Sequence, residues 1–302
     1  MIYTCTLNPC VDYYLSVEGE LLDEEVNRAS KEQFRAGGKG LNVSMVLDKL
    51  GIDNRAVALL GGFTGSFIES EMKKYSHVEL LSIPLNGDNR VNVKMNHDKG
   101  ILCVNAKGPL ADDKTKEALV EVVKGLDKND YFMICGKAAR GIEDDFIVDL
   151  CQLVHKTGAK LIVDMESMNL EMLRVCKPYM IKPNLYELAK LMNREVRVND
   201  LDEVAKELSD SLEVLLVSLG KDGAYLSTKD KVYHMEQDPI VAINAVGAGD
   251  AMLGSFVGKL ATGSSYEEAL RYGGAAGCAT ASSLDEISVE DIERFLGSIR
   301  VN

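Results

Sequence analysis

"INAVGAGDAM", residues 243–252, places Gly-Ala-Gly directly ahead of an aspartate at the entrance to a helix. Inside a helix each glycine costs about 1 kcal/mol relative to alanine. At a helix start it is useful instead. The backbone can approach a ligand closely, and the first N–H groups stay free to point at it. An apolar stripe of Leu253, Phe256, Val257 and Leu260 then follows at i, i+3, i+4 and i+7. Asp250 has two readings here. It is a helix-capping or first-turn acid, favoured by the positive end of the helix, or a base beside an anion hole for a phosphoryl group in transit.

A second glycine cluster, "RAGGKGLNVSMVLDKLG" at 35–51, also precedes an amphipathic helix, with Val43, Val46, Leu47 and Leu50 on one stripe. Lys39 and Asn42 stand in its opening turn. Taken alone, the cluster is a tight strand-to-helix turn; two glycine-rich helix starts in one chain favour a ligand site. A third stretch, "LGGFTGSFI" at 60–68, reads as a structural turn. The usual nucleotide motifs fail. There is no P-loop, Met252 stands where a dinucleotide fingerprint needs its third glycine, and no protein-kinase signature occurs.

Short apolar runs at 2–7, 55–60, 131–135, 160–163, 179–181 and 214–218 alternate with helix-like segments. Alternating β and α units predict a mostly parallel sheet with helices on both faces. Ligands in such sheets sit beyond the carboxyl ends of the strands. Residues 9–36 and 88–105 break the alternation. Their period-2 patterning with one polar face predicts exposed antiparallel strands that project from the core as a small lid. No linker, repeat or low-complexity segment divides the chain, so one domain over 1–302 is expected.

The net charge of −13 argues against nucleic acid or an anionic membrane as partner. The seven cysteines are odd in number, scattered and without a C-x-x-C pair, which suits reduced thiols acting mostly as core fillers. The four histidines lack ligand spacing. No secretory leader or membrane-length apolar run is evident, and a soluble, cytoplasmic protein is expected. Against the acidic background, residues 26–40 hold Arg28, Lys31, Arg35 and Lys39 with one carboxylate, and 89–107 hold Arg90, Lys94, Lys99 and Lys107 with one carboxylate. Cations gathered on a lid would face a phosphorylated ligand, which arginine grips with paired hydrogen bonds.

These motifs together resemble the ribokinase-like sugar kinase family. "GGKGLNVSMVLDKLG" and "VGAGDAMLGSF" are similar to its two signature regions. "TLNPCVDY" (6–13), "VNR" (26–28), "RVNVK" (90–94), "IKPNLYEL" (181–188) and "VSLGKDGAYL" (217–226) follow the order of its phosphosugar branch, 1-phosphofructokinase and tagatose-6-phosphate kinase. The resemblance spans essentially the whole chain. "MIYTCTLNPCVDY" and "GGFTGSFIES" look more like 1-phosphofructokinase.

The resemblance implies a three-layer α/β/α core with a β lid, ATP and Mg²⁺. It implies Asp250 as catalytic base with Gly247, Ala248 and Gly249 as anion hole. It implies Asp12, Gly38, Lys39 and Asn42 at the sugar and Arg90 at the substrate phosphate; Arg28 is a further expected substrate contact, and Lys137, where the family has a serine, is expected either to add a cation to the sugar-phosphate site or to fold outward to solvent. Asn184 and Glu187 match a motif associated with Mg²⁺ and phosphate, the metal being held by Glu187 through water. Ser218, Gly220 and Gly223 match a nucleotide-binding loop. The plain alternatives are a turn cap for Asp12, a surface helix charge for Glu187 and an ordinary Asp-Gly turn for 218–223.

There are three departures, of which the first two lie in loops expected to face substrate and bear on specificity. "CGKAARG" (135–141) replaces the branch's Gly-Ser-Leu-Pro, putting Lys137 where a serine is usual; "DMES" (164–167) replaces Asp-x-Ser-Gly; Ala251 replaces a serine after the base. The expected reaction is ATP-dependent phosphorylation of fructose 1-phosphate to fructose 1,6-bisphosphate. Tagatose-6-phosphate kinase and 6-phosphofructokinase activities are the alternatives. A drifted, non-catalytic phosphosugar or nucleotide sensor is the non-enzyme reading, and a nicotinamide dehydrogenase is disfavoured by the failed fingerprint. Exposed lid edges make a homodimer through the lid plausible.

Overall fold

In the computed structural model, which describes residues 1–302, strands and helices alternate from the start. β1 (Ile2–Thr6), β2 (Cys10–Ser16) and β3 (Lys31–Gly37) lead to α1 (Lys39–Lys49), β4 (Asn54–Leu60), α2 (Gly62–Met72) and β5 (Val78–Pro84). Next come β6 (Arg90–His97), β7 (Gly100–Asn105), α3 (Asp113–Lys124), β8 (Tyr131–Cys135), α4 (Asp144–Thr157), β9 (Lys160–Asp164), α5 (Leu170–Cys176) and β10 (Met180–Ile181). The chain closes with α6 (Leu185–Met192), α7 (Leu201–Leu208), β11 (Val214–Ser218), β12 (Ala224–Ser227), β13 (Val232–Gln237), α8 (Ala248–Ala261), α9 (Tyr266–Ala281), α10 (Val289–Leu296) and β14 (Ile299–Val301).

Ten strands form one sheet in the order β14-β13-β12-β11-β10-β9-β8-β1-β4-β5. From β11 to β5 every pairing is parallel; β12, β13 and β14 extend the sheet antiparallel. The central parallel strands are largely apolar on both faces, as strands covered twice must be. Phe132, Ile134, Leu161 and Val163 pack under α3, α4 and α5. Met133, Cys135 and Ile162 face the other way, toward Val43 of α1, Leu253 and Phe256 of α8 and Ala275 of α9. No helix is long and apolar enough to cross a membrane.

The two interruptions form a separate four-stranded sheet, β3-β2-β6-β7. Its outer pairs, β2–β3 and β6–β7, are antiparallel as expected, but the central join of β2 to β6 is parallel. The cause lies in the core. β2 follows β1, and β6 follows β5; β1 and β5 run the same way, so both continuations leave the sheet at one edge in one direction. Residues 17–30 between β2 and β3 carry no strand.

Two further expectations are corrected. The stretch 60–68 is a helix from Gly62 onward, not a turn. Its glycines hide the helical pattern because they serve packing: a Cβ on Gly65 would come within 2.9 Å of Asn89 Oδ1 and 3.1 Å of the Leu60 carbonyl carbon. The strand at 179–181 is reduced to Met180–Ile181.

Candidate active site

The parallel strands deliver their last residues to one edge. Thr6 ends β1, Cys135 ends β8, Asp164 ends β9, and Ser218 ends β11, while Lys182 directly follows β10. The two glycine-opened helices begin above this edge. Gly38 caps α1 at φ 122°, and Gly247 caps α8 at φ 84°. Both values favour glycine. Neither helix has a side-chain cap; the Ala248 N–H donates to the Ala245 carbonyl at 3.3 Å, and the N–H groups of Gly249 and Asp250, like those opening α1, stay free. Helices α3, α6 and α10, by contrast, are capped by Asp112, Asn184 and Ser288.

Between the helix ends and the lid lies an open cleft of about 1140 Å³, lined by Asp12, Gly38, Lys39, Asn42, Arg90, Asn184, Glu187, Ser218, Gly247, Gly249 and Asp250. Eleven expected site residues thus share one wall system, although they come from both ends of the chain. Asp250 is 6% exposed. Its side chain does not cap α8. It turns across to α1 and accepts a hydrogen bond from Asn42 Nδ2 at 2.8 Å. Burial, followed by the charge of Asp164, pushes its carboxyl up to about 6; Asn42, Lys39 and Lys182 act in the opposite sense.

Lys39 Nζ lies 3.1 Å from Asp164 Oδ1 and 3.9 Å from Glu187 Oε1. Burial alone would lower its ammonium, but the charges of Asp164, Asp250 and Glu187 outweigh it and hold Lys39 above the usual lysine value. Lys182 is 4% exposed, and its Nζ is 3.7 Å from Asp164 Oδ2. A Cβ placed on Gly249 would stand 3.3 Å from that Nζ, so the lysine reaches the mouth of α8.

Asn184 and Glu187 form a reciprocal capping box on α6: each backbone N–H donates to the other's side chain at 2.9 Å. Glu187 is therefore a helix-start residue as well as a cleft residue. One of its oxygens, Oε1, has only the distant Lys39 beside it. Asp12 is not a turn cap either. It sits within β2, where Lys94 Nζ donates to Oδ2 at 2.6 Å and Asn92 Nδ2 to Oδ1 at 2.9 Å. The Arg90 guanidinium donates to the Asn8 carbonyl at 3.1 and 3.0 Å.

Five expected residues stand apart from the cleft lining. Arg28 and Lys137 are exposed and make no ion pair, and Ala248 lies just inside α8. Gly220 and Gly223, at φ 61° and 91°, shape the tight turn after β11. The segment 241–245 has no strand partner; Ile243 and Asn244 both donate backbone N–H groups to the Ala281 carbonyl.

Sequence reasoning passed over Asp164 and Lys182, and counted Lys94 only among the lid's cations. The signal for the first two is positional. A carboxylate closes the apolar run "LIVD", and a lysine follows "MI". Charges at the ends of buried parallel strands point at the ligand edge.

A model of the pfkB family carbohydrate kinases matches residues 5–291. The chain belongs to this family. Among curated relatives, the D-tagatose-1-phosphate kinase of Bacillus licheniformis is 36% identical, covering 100% of this chain and 99% of the relative. The 1-phosphofructokinase of Borreliella burgdorferi is 33% identical, covering 100% and 98%. Among solved structures, phosphofructokinase-2 from Escherichia coli, in complex with substrates and products, superposes with a TM-score of 0.91 at 27% identity, covering 98% of each chain. This carbohydrate kinase thus has the ribokinase-like core expected from its motifs.

Proposed function

We propose that this kinase transfers the γ-phosphoryl group of ATP to a free primary hydroxyl of a ketohexose 1-phosphate, with fructose 1-phosphate the first choice. One observation carries the reading: a buried carboxyl, Asp250, stands at the uncapped start of α8 with Asn42 as its only hydrogen-bond partner. A binding protein has no use for such a group, whereas a base titrating near 6 is ionised at neutral pH and still able to take a proton. The acceptor oxygen attacks the γ-phosphorus, the bond to the β–γ bridging oxygen breaks, and ADP leaves. Asp250 takes the hydroxyl proton. The free N–H groups of Gly247, Gly249 and Asp250 and the Lys182 ammonium face the charge on the moving phosphoryl group. Asp12 and Asn42 orient the acceptor; Arg90, on the lid, serves its phosphate. The turn at 218–223 serves the nucleotide.

A divalent cation fits the donor set. Glu187 offers a carboxylate oxygen free of hydrogen bonds at the cleft wall, and Mg²⁺ prefers one or two carboxylates together with water and phosphate. When bound it would offset the charge of the triphosphate. Six of the seven cysteines are buried free thiols, which suits a reducing, cytoplasmic setting. The exposed Phe34, Ile101, Leu102 and Val104 on the lid strands support a homodimer through the lid.

The relatives' names divide the acceptor among D-tagatose 1-phosphate, fructose 1-phosphate and tagatose 6-phosphate. The test is coupled ADP release on a panel of fructose 1-phosphate, tagatose 1-phosphate, fructose 6-phosphate, tagatose 6-phosphate and the free sugars. A 1-phosphate with the highest kcat/KM is expected. A free sugar in first place defeats the phosphate assignment, and a 6-phosphate in first place defeats the regiochemistry.

A further inference from the structure

Arg90, Asn92 and Lys94 alternate onto one face of β6, the face that lines the cleft. Asn92 and Lys94 converge on one carboxylate. Asn92 Nδ2 and the Cys10 thiol both donate to Asp12 Oδ1, at 2.9 and 3.4 Å, and Lys94 Nζ donates to Oδ2 at 2.6 Å. Burial, reinforced by the Asp12 charge, pushes the Cys10 thiol up to about 12, so it remains a donor. The side chains of Lys94 and Asp12 are only 11% and 8% exposed.

An ammonium group has three protons. Asp12 takes one, and the Tyr14 hydroxyl takes a second at 3.1 Å, with the ammonium 4.9 Å from the centre of the Tyr14 ring. The third has no acceptor in the protein. Next to the cleft lies a second hollow, and Lys94, Asp12, Asn42, Val246 and Gly247 line both. The unused proton therefore belongs to a side chain that lines both spaces, as does the Asn42 that holds Asp250.

We propose that Lys94 is a specificity-determining residue that reads a secondary hydroxyl of the acceptor. A hydroxyl both donates and accepts. The Asp12–Lys94 pair offers it an acceptor and a donor side by side. A ligand with that hydroxyl in the wrong configuration leaves a buried ammonium proton and carboxylate lone pair unmatched, the situation that gives hydrogen-bonding sites their strong discrimination. Fructose 1-phosphate and tagatose 1-phosphate differ only in the configuration at C4, so the pair is suited to tell them apart. The inference rests on the kinase reading above.

The experiment measures kcat and KM for both epimers and KM for ATP, in the unmodified protein, Lys94→Gln and Lys94→Arg. The unmodified enzyme should favour one epimer clearly. Lys94→Gln should raise KM for that epimer about 10- to 100-fold and shrink the epimer preference at least tenfold, with KM for ATP within twofold. Lys94→Arg keeps the charge on Asp12 and so protects the fold, but its planar fork moves the free donors and should also change the preference. An epimer ratio unchanged in both variants, or an unmodified enzyme indifferent to the epimers, overturns the inference. No turnover of any phosphosugar by the unmodified protein overturns the kinase reading itself, and the inference with it.

Discussion

At Asp250 the chain keeps a carboxyl almost wholly buried at the wall of the cleft, and the cost should be measurable. Its folded value of about 6 lies above the ordinary 3.8. A raised acid binds its proton more tightly in the folded state, so this residue's contribution to stability declines as pH rises from about 4 to about 6. Above that window the full penalty remains, on the order of 2–3 kcal/mol. Asp250→Asn should therefore lower kcat by roughly 10²–10⁴ while making the protein more stable at pH 7, a gain that vanishes near pH 4. Denaturant titrations of both proteins at the two pH values check the sign; a variant less stable at pH 7 would contradict it. In the unmodified enzyme kcat/KM should fall below about pH 6 as the base protonates. Lys137 gives the opposite kind of prediction. It is exposed and unpaired, so Lys137→Ser should leave KM for the phosphosugar within twofold, and a larger rise would show that the lysine bends back to the substrate.

Helix α1 shows what an element demands of its first residue. A Cβ on Gly38 would come within 2.6 Å of Thr6 Cγ2, at a φ of 122° that other residues rarely adopt. Gly38→Ala should cost several kcal/mol of stability, read as a lower midpoint in urea with little change in slope. Helices α1 and α8 were legible because their glycines and apolar stripes lie in one continuous stretch. Helix α2 was not, since Gly62 and Gly65 look like turn residues, and the packing of Gly62 against Asp88 and of Gly65 against Leu60 and Asn89 appears only in three dimensions. The same limit hid the parallel β2–β6 join. Period-2 patterning identifies a strand and its polar face, but it carries no information about the direction of a partner distant in sequence.

Across the whole molecule, the cleft brings Asp12 and Asn42 to Asp250, and Lys39 to Glu187, over most of the chain's length. Motif order made these residues candidates; only the sheet order explains their meeting. Asp164 and Lys182 escaped notice because their significance lies in where β9 and β10 end, a property of the assembled sheet. Arg90 joins the two scales. It serves the cleft and also holds the Asn8 carbonyl, between the core strand β1 and the lid strand β2. Arg90→Ala should raise KM for the phosphosugar at least tenfold, and KM for ATP much less. Equal increases in both would assign Arg90 to the lid's anchorage rather than to the phosphate.

The join of β2 to β6 also sets an order of assembly. Cys10 pairs with Arg90, and Ser16 with Asn96, so every rung of that ladder closes a loop of 80 residues. Within that loop lie α1, β4, α2 and β5. Closing so long a loop is entropically unfavourable until the intervening elements have already docked. The lid should therefore be the last part to fold and the first to open, as a cooperative unit separate from the ten-stranded sheet. Native-state hydrogen exchange should show amides of β2 and β6 exchanging through a lower-energy opening than those of β1 and β8. Protection in the lid equal to that of β8 would mean that the two sheets rise and fall together.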